Sequence, residues 1–222
     1  MSELDPHVLD ADGALAEAHA GLSRAQLLGA GLAATGALLA LPRRARAAQL
    51  SKTDTDVLNY ALSLEYLQAA FYTEAERSKA IRGKAGEAAK VVGAVERAHV
   101  AAFLDLLGSK AVKRPRFDFQ GVTENPRNFL KTAVAFEDLA VAAYKGQAIR
   151  IESPAVVAAA LGIHTVEARH AAWMRHLYGI KPAVNAFDAP DSKKQVLALV
   201  EDTGFVVDSP RVKAKRKPGY TG

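Results

Sequence analysis

The pattern Glu-x-x-His occurs twice in this chain, as Glu96/His99 and Glu167/His170, and each copy follows a lone glutamate at nearly the same distance, Glu65 by 31 residues and Glu137 by 30. On a helix, residues i and i+3 share a face, so each copy offers a carboxylate and an imidazole to one point. A helix carrying a single Glu completes each half. The pattern asks for four helices aiming four carboxylates and two imidazoles at a common centre, a donor set suited to two metal ions.

The repetition extends past these six residues. An offset of 72 pairs Leu58 with Leu130, Ala61 with Ala133, Glu65 with Glu137, Leu67 with Leu139 and Tyr72 with Tyr144; an offset of 71 pairs Val95 with Val166, His99 with His170 and Gly108 with Gly179. Two copies of such a period do not build a solenoid. They read as two helical hairpins facing each other across a pseudo-twofold axis.

Residues at one level of an antiparallel helix pair lie equally far from the connecting turn. Midway between Glu65 and Glu96/His99 lies position 81 or 82, beside Gly83 and Gly86; midway between Glu137 and Glu167/His170 lies 152–154, where Ser153-Pro154 stands. Both midpoints are helix breakers. Each candidate ligand is therefore about 15 residues from its turn, roughly 23 Å along the axis at about 1.5 Å per residue.

The predicted helices follow. The first starts at the Thr53-Asp54-Thr55-Asp56 cluster, which offers capping oxygens, and reaches 79. The second covers 85–107 and stops at Gly108 as a left-handed cap. Asn125-Pro126 caps a third helix reaching 151, and Ser153-Pro154 caps a fourth that ends at Gly179. Residues 109–125, with Pro115 and Gly121, are too many for a tight turn and long enough to cross the bundle. A short amphipathic helix over 191–202 buries Val196, Leu197 and Val200. The fold class is all-α, an antiparallel four-helix bundle with one long crossover and a short C-terminal helix.

Three regions are expected: a leader over 1–47, the bundle over 48–182 and a C-terminal extension over 183–222. Cysteine is absent, which excludes disulfides, thiolate metal sites and cysteine nucleophiles and leaves oxygen and nitrogen to hold any metal. The leader has a long n-region with Ser23-Arg24-Ala25, a Gly/Ala/Leu run to Leu41, then Arg43, Arg44 and Arg46 before a small-x-small site at Ala45-Arg46-Ala47. It resembles a twin-arginine export signal in which Ala25 replaces the second arginine, and it implies a periplasmic or otherwise exported protein. An uncleaved anchor is the other reading, and the leader is then the only part that contacts a membrane. The formal net charge of +5 becomes +6 without residues 1–47, which carry five acids against four arginines. Much of the excess sits in Lys213, Lys215, Arg216 and Lys217, a tail without interleaved stacking aromatics, so no nucleic-acid partner is expected.

A single Glu-x-x-His is common on solvated helices, where it binds nothing. Here Val95, Ala98, Ala102 and Phe103 flank one copy and Val166, Ala171, Trp173 and Met174 the other, which places the acids in apolar surfaces. Four ionised carboxylates buried together destabilise a fold through desolvation and repulsion. Two divalent cations cancel that charge.

The order Glu, Glu-x-x-His, Glu, Glu-x-x-His over about 52–180 resembles the di-iron and di-manganese carboxylate proteins of the ferritin-like superfamily. With its leader, the chain looks most like bacterial exported ferritin-like domain proteins, a group with desiccation-related relatives. The resemblance implies that Glu65 and His99 serve one metal, Glu137 and His170 the other, and that Glu96 and Glu167 bridge. The cofactors expected are two Fe ions, two Mn ions or one of each.

Tyr72 and Tyr144 stand seven residues past their glutamates, on the same face but about 10.5 Å along the axis, too far to ligate. Core tyrosines with a bonded hydroxyl and electron relays are both open readings, and His164, one turn before Glu167, is a further candidate to hydrogen-bond to a ligand. The expected function is redox chemistry on O2 or H2O2, of ferroxidase or manganese catalase type, outside the cytoplasm. The alternative is a non-catalytic stress or desiccation-related protein whose ions hold the helices together. A homo-oligomer is compatible with either.

Overall fold

In a computed structural model of the chain, residues 49–207 are described. The leader over 1–47 and the basic tail lie outside the described residues. Among the described residues, five α-helices follow in order: α1 (Lys52–Ser78), α2 (Gly83–Leu107), α3 (Pro126–Ala148), α4 (Pro154–Tyr178) and α5 (Lys193–Thr203). The first four form a four-helix bundle. The α1–α2 and α3–α4 turns, over 79–82 and 149–153, fall at the two midpoints of the ligand spacing.

The crossover is traced by its bonds to α1. Asn59 of the first turns of α1 donates to the Lys110 carbonyl and accepts from the Val112 amide, at 2.9 and 2.7 Å. At the other end of α1, Ser78 donates to the Thr123 carbonyl at 3.0 Å and Glu74 accepts from the Thr123 hydroxyl at 2.7 Å. The connection therefore runs the length of α1, so α3 starts beside the C-terminal end of α1 and runs antiparallel to it. A bundle with one long crossover follows. Phe119 of the crossover packs edge-on against Phe71, which stacks on Phe129 of α3, and this aromatic end forms part of the core. Gly93 lets α2 approach α1 closely, since a Cβ there would stand 2.8 Å from the Tyr72 Cβ.

Several boundaries differ from expectation. Ser51, not the Thr53–Asp56 cluster, caps α1, accepting from the Asp54 amide at 3.0 Å. Asp54 is thereby free to serve another helix, and its carboxylate accepts from the Glu152 and Ser153 amides at 2.8 and 3.2 Å, at the entrance to α4. Ser153 makes no side-chain cap bond, whereas Asn125 caps α3 through the Asn128 amide at 3.0 Å. Helix α3 ends at Ala148, short of 151, because the amides of Arg150 and Ile151 bond three residues back and tighten the end into a turn. Gly108 has φ 54° and ψ −124°, which is not left-handed helical, and the chain passes into a short 3-10 turn; Gly179, at φ 87° and ψ 22°, is left-handed.

Helix α5 opens with a capping box of Ser192 and Gln195 and buries Val196 and Val200, while Leu197, expected in its apolar face, is 42 % exposed. The strap before it lies against α3, where the Asp191 amide bonds to the Ala142 carbonyl at 3.1 Å and Lys145 holds the Asp188 carbonyl. After α5, Phe117 of the crossover pairs with Val206 in a single antiparallel bridge. No described helix is long and apolar enough to cross a membrane.

Candidate metal centre

Glu65 comes from α1, Glu96 and His99 from α2, Glu137 from α3, and Glu167 and His170 from α4. All four carboxylates are fully buried, and the imidazoles nearly so. His99 turns Nδ1 toward Glu65, Glu96 and Glu167 at 3.3, 3.3 and 3.2 Å. His170 turns Nδ1 toward Glu96, Glu137 and Glu167 at 2.9, 3.6 and 3.9 Å. Two overlapping donor groups result: Glu65, Glu96, His99 and Glu167 in one, Glu96, Glu137, Glu167 and His170 in the other, each with donor atoms within 4.8 Å of one another. Glu96 and Glu167 belong to both.

No hydrogen bond of acceptable geometry reaches Glu65 Oε2, Glu96 Oε1, Glu137 Oε2, Glu167 Oε1 or His170 Nδ1, although all are buried. A buried polar atom without a partner costs about 1–3 kcal/mol. Five at one point, four of them on carboxylates, make an unfavourable protein interior and a good cation cage. The donor set is hard oxygen and imidazole, which suits Fe and Mn and excludes thiolate-selected ions.

Of the remaining carboxylate oxygens, those of Glu137 and Glu65 are held by tyrosines from outside the cluster. The Tyr72 hydroxyl, on α1, donates to Glu137 Oε1 on α3 at 2.5 Å, and the Tyr144 hydroxyl, on α3, donates to Glu65 Oε1 on α1. Each tyrosine thus serves the glutamate of the opposite hairpin. Helical side chains lean toward the N-terminus, so a phenol seven residues on reaches back toward the level of the cluster. His164, the further candidate, has a buried Nδ1 with no hydrogen-bond partner.

Gln68 went unnoticed in the sequence. It is 2 % exposed, on the α1 face that carries Glu65 and Tyr72, and its Nε2 donates a long bond of 3.4 Å to Glu167 Oε2. A polar residue at i+3 from Glu65 within an otherwise apolar stretch was the available signal. Its repeat partner is Ala140, so a search for matching pairs passes over it.

Glu65, Glu96, Glu167 and the two imidazoles differ in how they hold protons. Burial pushes Glu65 up to about 7, against the facing His99 imidazole and with the charge of Glu96 adding to the rise. Burial likewise takes Glu167 to about 9, opposed by His99 and helped by the charges of Glu137 and Glu65. Glu96 feels the same burial, but the imidazoles of His170 and His99 facing it outweigh that and hold the carboxyl at about 2. Burial disfavours charged His99, yet the carboxylates of Glu167, Glu65 and Glu96 around it carry it up to about 12; Glu137 and Glu96 carry His170 to about 10 in the same way. Tyr72 and Tyr144 are raised well above 10 by burial and then by the carboxylates, so both phenols remain donors. Without metal, Glu65, Glu167, His99 and His170 hold protons more tightly than they would in water.

Across residues 53–179, more than half of the chain, the sequence matches the family described as the ferritin-like domain. The chain belongs to that family. No curated protein sequence matches it significantly. The ferritin-like domain spans α1 to α4 and contains all six converging side chains, while α5 and its strap lie beyond the match.

Proposed function

We propose that this ferritin-like protein holds two ions of iron or manganese and carries out redox chemistry on O2 or H2O2. The observation that carries the reading is the pair of overlapping donor groups whose buried atoms converge within the four-helix core. Glu65 and His99 would hold one ion, Glu137 and His170 the other, with Glu96 and Glu167 between them. Bound as a pair, the ions supply a two-electron couple for dioxygen or peroxide.

The chain's own residues set the conditions for that chemistry. Four helices exclude bulk water from the carboxylates. Tyr72 and Tyr144 each fix one oxygen of Glu137 and of Glu65, leaving the other oxygen turned inward, and they keep a proton at the rim of the cluster. The leader supports placing this activity in an exported compartment, and cell fractionation of the native protein tests that part separately.

Elemental analysis of protein purified from its native compartment should give about two Fe or Mn per chain, followed by oxygen-electrode traces with Fe(II) and with H2O2. Traces indistinguishable from buffer on metal-loaded protein would remove the redox reading. Complete burial of four carboxylates favours a second reading, a non-catalytic stress-related protein in which the ions act as a staple. Glu96→Gln and Glu167→Gln separate the two, because an enzyme loses turnover with the fold kept, whereas a staple loses melting temperature first.

A further inference from the structure

Two segments far apart in sequence, the crossover and the residues after α5, are joined side by side. Phe117 bridges Val206, the Asp118 amide donates to the Phe205 carbonyl at 2.9 Å, and the Val207 amide donates to the Arg116 carbonyl at 3.0 Å. Earlier in the crossover, the Val112 amide donates to Asn59 and its carbonyl accepts from the Tyr66 hydroxyl at 3.3 Å, so the backbone is fixed against α1. The side chains of Lys110, Lys113, Arg114 and Arg116 are exposed along this segment. Residues 109–118 hold these four cations against Asp118, a formal +3; residues 201–222 hold Arg211, Lys213, Lys215, Arg216 and Lys217 against Glu201, Asp202 and Asp208, a formal +2. Together they account for the +5 of the whole chain, and the remaining residues sum to zero. Arg211 follows four residues after Val207, at most about 14 Å along the chain from the point where Val207 is anchored to the crossover.

We propose that the crossover and the basic tail form one surface that seats the folded domain on a membrane bearing anionic phospholipid headgroups. The proposal is independent of the redox reading, and it adds a contact through the domain itself to the leader's, the membrane contact expected from the sequence. Attraction between a cation and a negative surface fades within a Debye length, about 10 Å at roughly 0.1 M salt, so cations of two segments act together only where the fold brings the segments together. The pairing of Phe117 with Val206 does that. Lys113 and Arg114, on backbone fixed to α1, set how the domain faces the surface, and the tail adds charge. Val112, 40 % exposed between Lys110 and Lys113, offers an apolar contact at headgroup level. A nucleic acid is the less suited polyanion. Phe117, the aromatic residue of the basic segment, stacks on Phe119 with ring centres 5.9 Å apart and packs against the core, so it is not offered to a base.

The test is sedimentation of the full chain with vesicles of phosphatidylcholine alone or with about a third phosphatidylglycerol, at roughly 0.1 M salt. Wild type should bind the anionic vesicles about tenfold or more tightly than the neutral ones, and about 0.5 M salt should release it. Each cation near such a surface contributes roughly fivefold in affinity. The pair Lys113→Gln and Arg114→Gln should therefore weaken binding by about tenfold or more, and so should Lys213→Gln, Lys215→Gln and Lys217→Gln together. Lys113→Gln alone keeps the contact of Arg114 with the Phe117 ring and should lose about fivefold with the melting temperature unchanged, so the surface is tested even where the pair impairs folding. Equal binding to both vesicle types overturns the proposal, because the leader or another apolar contact would then explain it. Loss in the tail variant with both crossover variants unmoved overturns the shared surface. Tighter binding to a DNA duplex than to the anionic vesicles at the same salt overturns the proposal in favour of a nucleic acid.

Discussion

Tyr72 donates its hydroxyl to Glu137 on the opposite hairpin, not to Glu65 on its own helix, and Tyr144 returns the arrangement to Glu65. The exchange ties the hairpins together at the level of the cluster. It also means that each tyrosine tunes the donor group to which its own helix does not give the single Glu. A phenol kept protonated by burial is a steady donor, and it leaves one oxygen of each end carboxylate pointing inward.

Tyr72→Phe should therefore weaken the group of Glu137 and His170, and Tyr144→Phe that of Glu65 and His99. Removing an outer hydrogen-bond partner of a metal ligand typically costs 10- to 100-fold in affinity. Calorimetric titration with Mn(II) should show one of two binding events weakened by about that factor in each variant, and both in the double variant. Equal weakening of both events by either single variant would contradict the assignment.

Glu96 and Glu167 belong to both donor groups, whereas Glu65 and Glu137 belong to one each. Glu167→Gln should accordingly lower ion content well below one per chain, while Glu65→Gln should leave about one. Glutamine matches the volume but offers a weaker neutral oxygen, so packing is preserved. Elemental analysis after dialysis reads the difference directly.

The convergence of the six side chains was legible because helical periodicity and a doubled spacing leave few other ways to arrange them, and the turns fell at the midpoints since depth in a hairpin is a matter of counting. Features that depend on contacts between distant segments were not legible. Nothing local says that Asp54 leaves its own helix end for the amides of Glu152 and Ser153, because Ser51 caps α1 just as well as Asp54 would have. The distance from Tyr72 to Glu65 along one helix was sound, yet the relevant partner was on another. Gln68 has Ala140 as its repeat partner, and repeats are found by their likenesses.

Asp54→Ala should leave the Glu152 and Ser153 amides without their acceptor and loosen the α3–α4 turn. The expected loss is about 1–3 kcal/mol, or roughly 2–4 °C in melting temperature for each kcal/mol. Asp54→Asn retains an acceptor oxygen and should recover part of it. Ion stoichiometry should stay near wild type in both, since the turn is far along the axis from the cluster; thermal unfolding beside elemental analysis checks the pair of outcomes.

Metal-free protein should lose stability as pH rises from about 5 to 9, and metal-loaded protein should not. Glu65 and Glu167 hold protons more tightly folded, up to about 7 and about 9, than at their ordinary 4.5. The stability they contribute is fully present below 4.5 and is lost as pH rises through those folded values. His99 and His170, raised from 6.5 to about 12 and about 10, act in the same direction at higher pH. Glu96, lowered to about 2, contributes above 4.5 and loses that contribution only as pH falls through about 2, outside this window. Ions displace these protons, so their binding tightens as pH rises. The melting temperature measured with Mn(II) minus that measured with EDTA should therefore widen steadily from pH 5 to pH 9. A gap that stays constant or narrows would mean that the cluster does not exchange protons for metal.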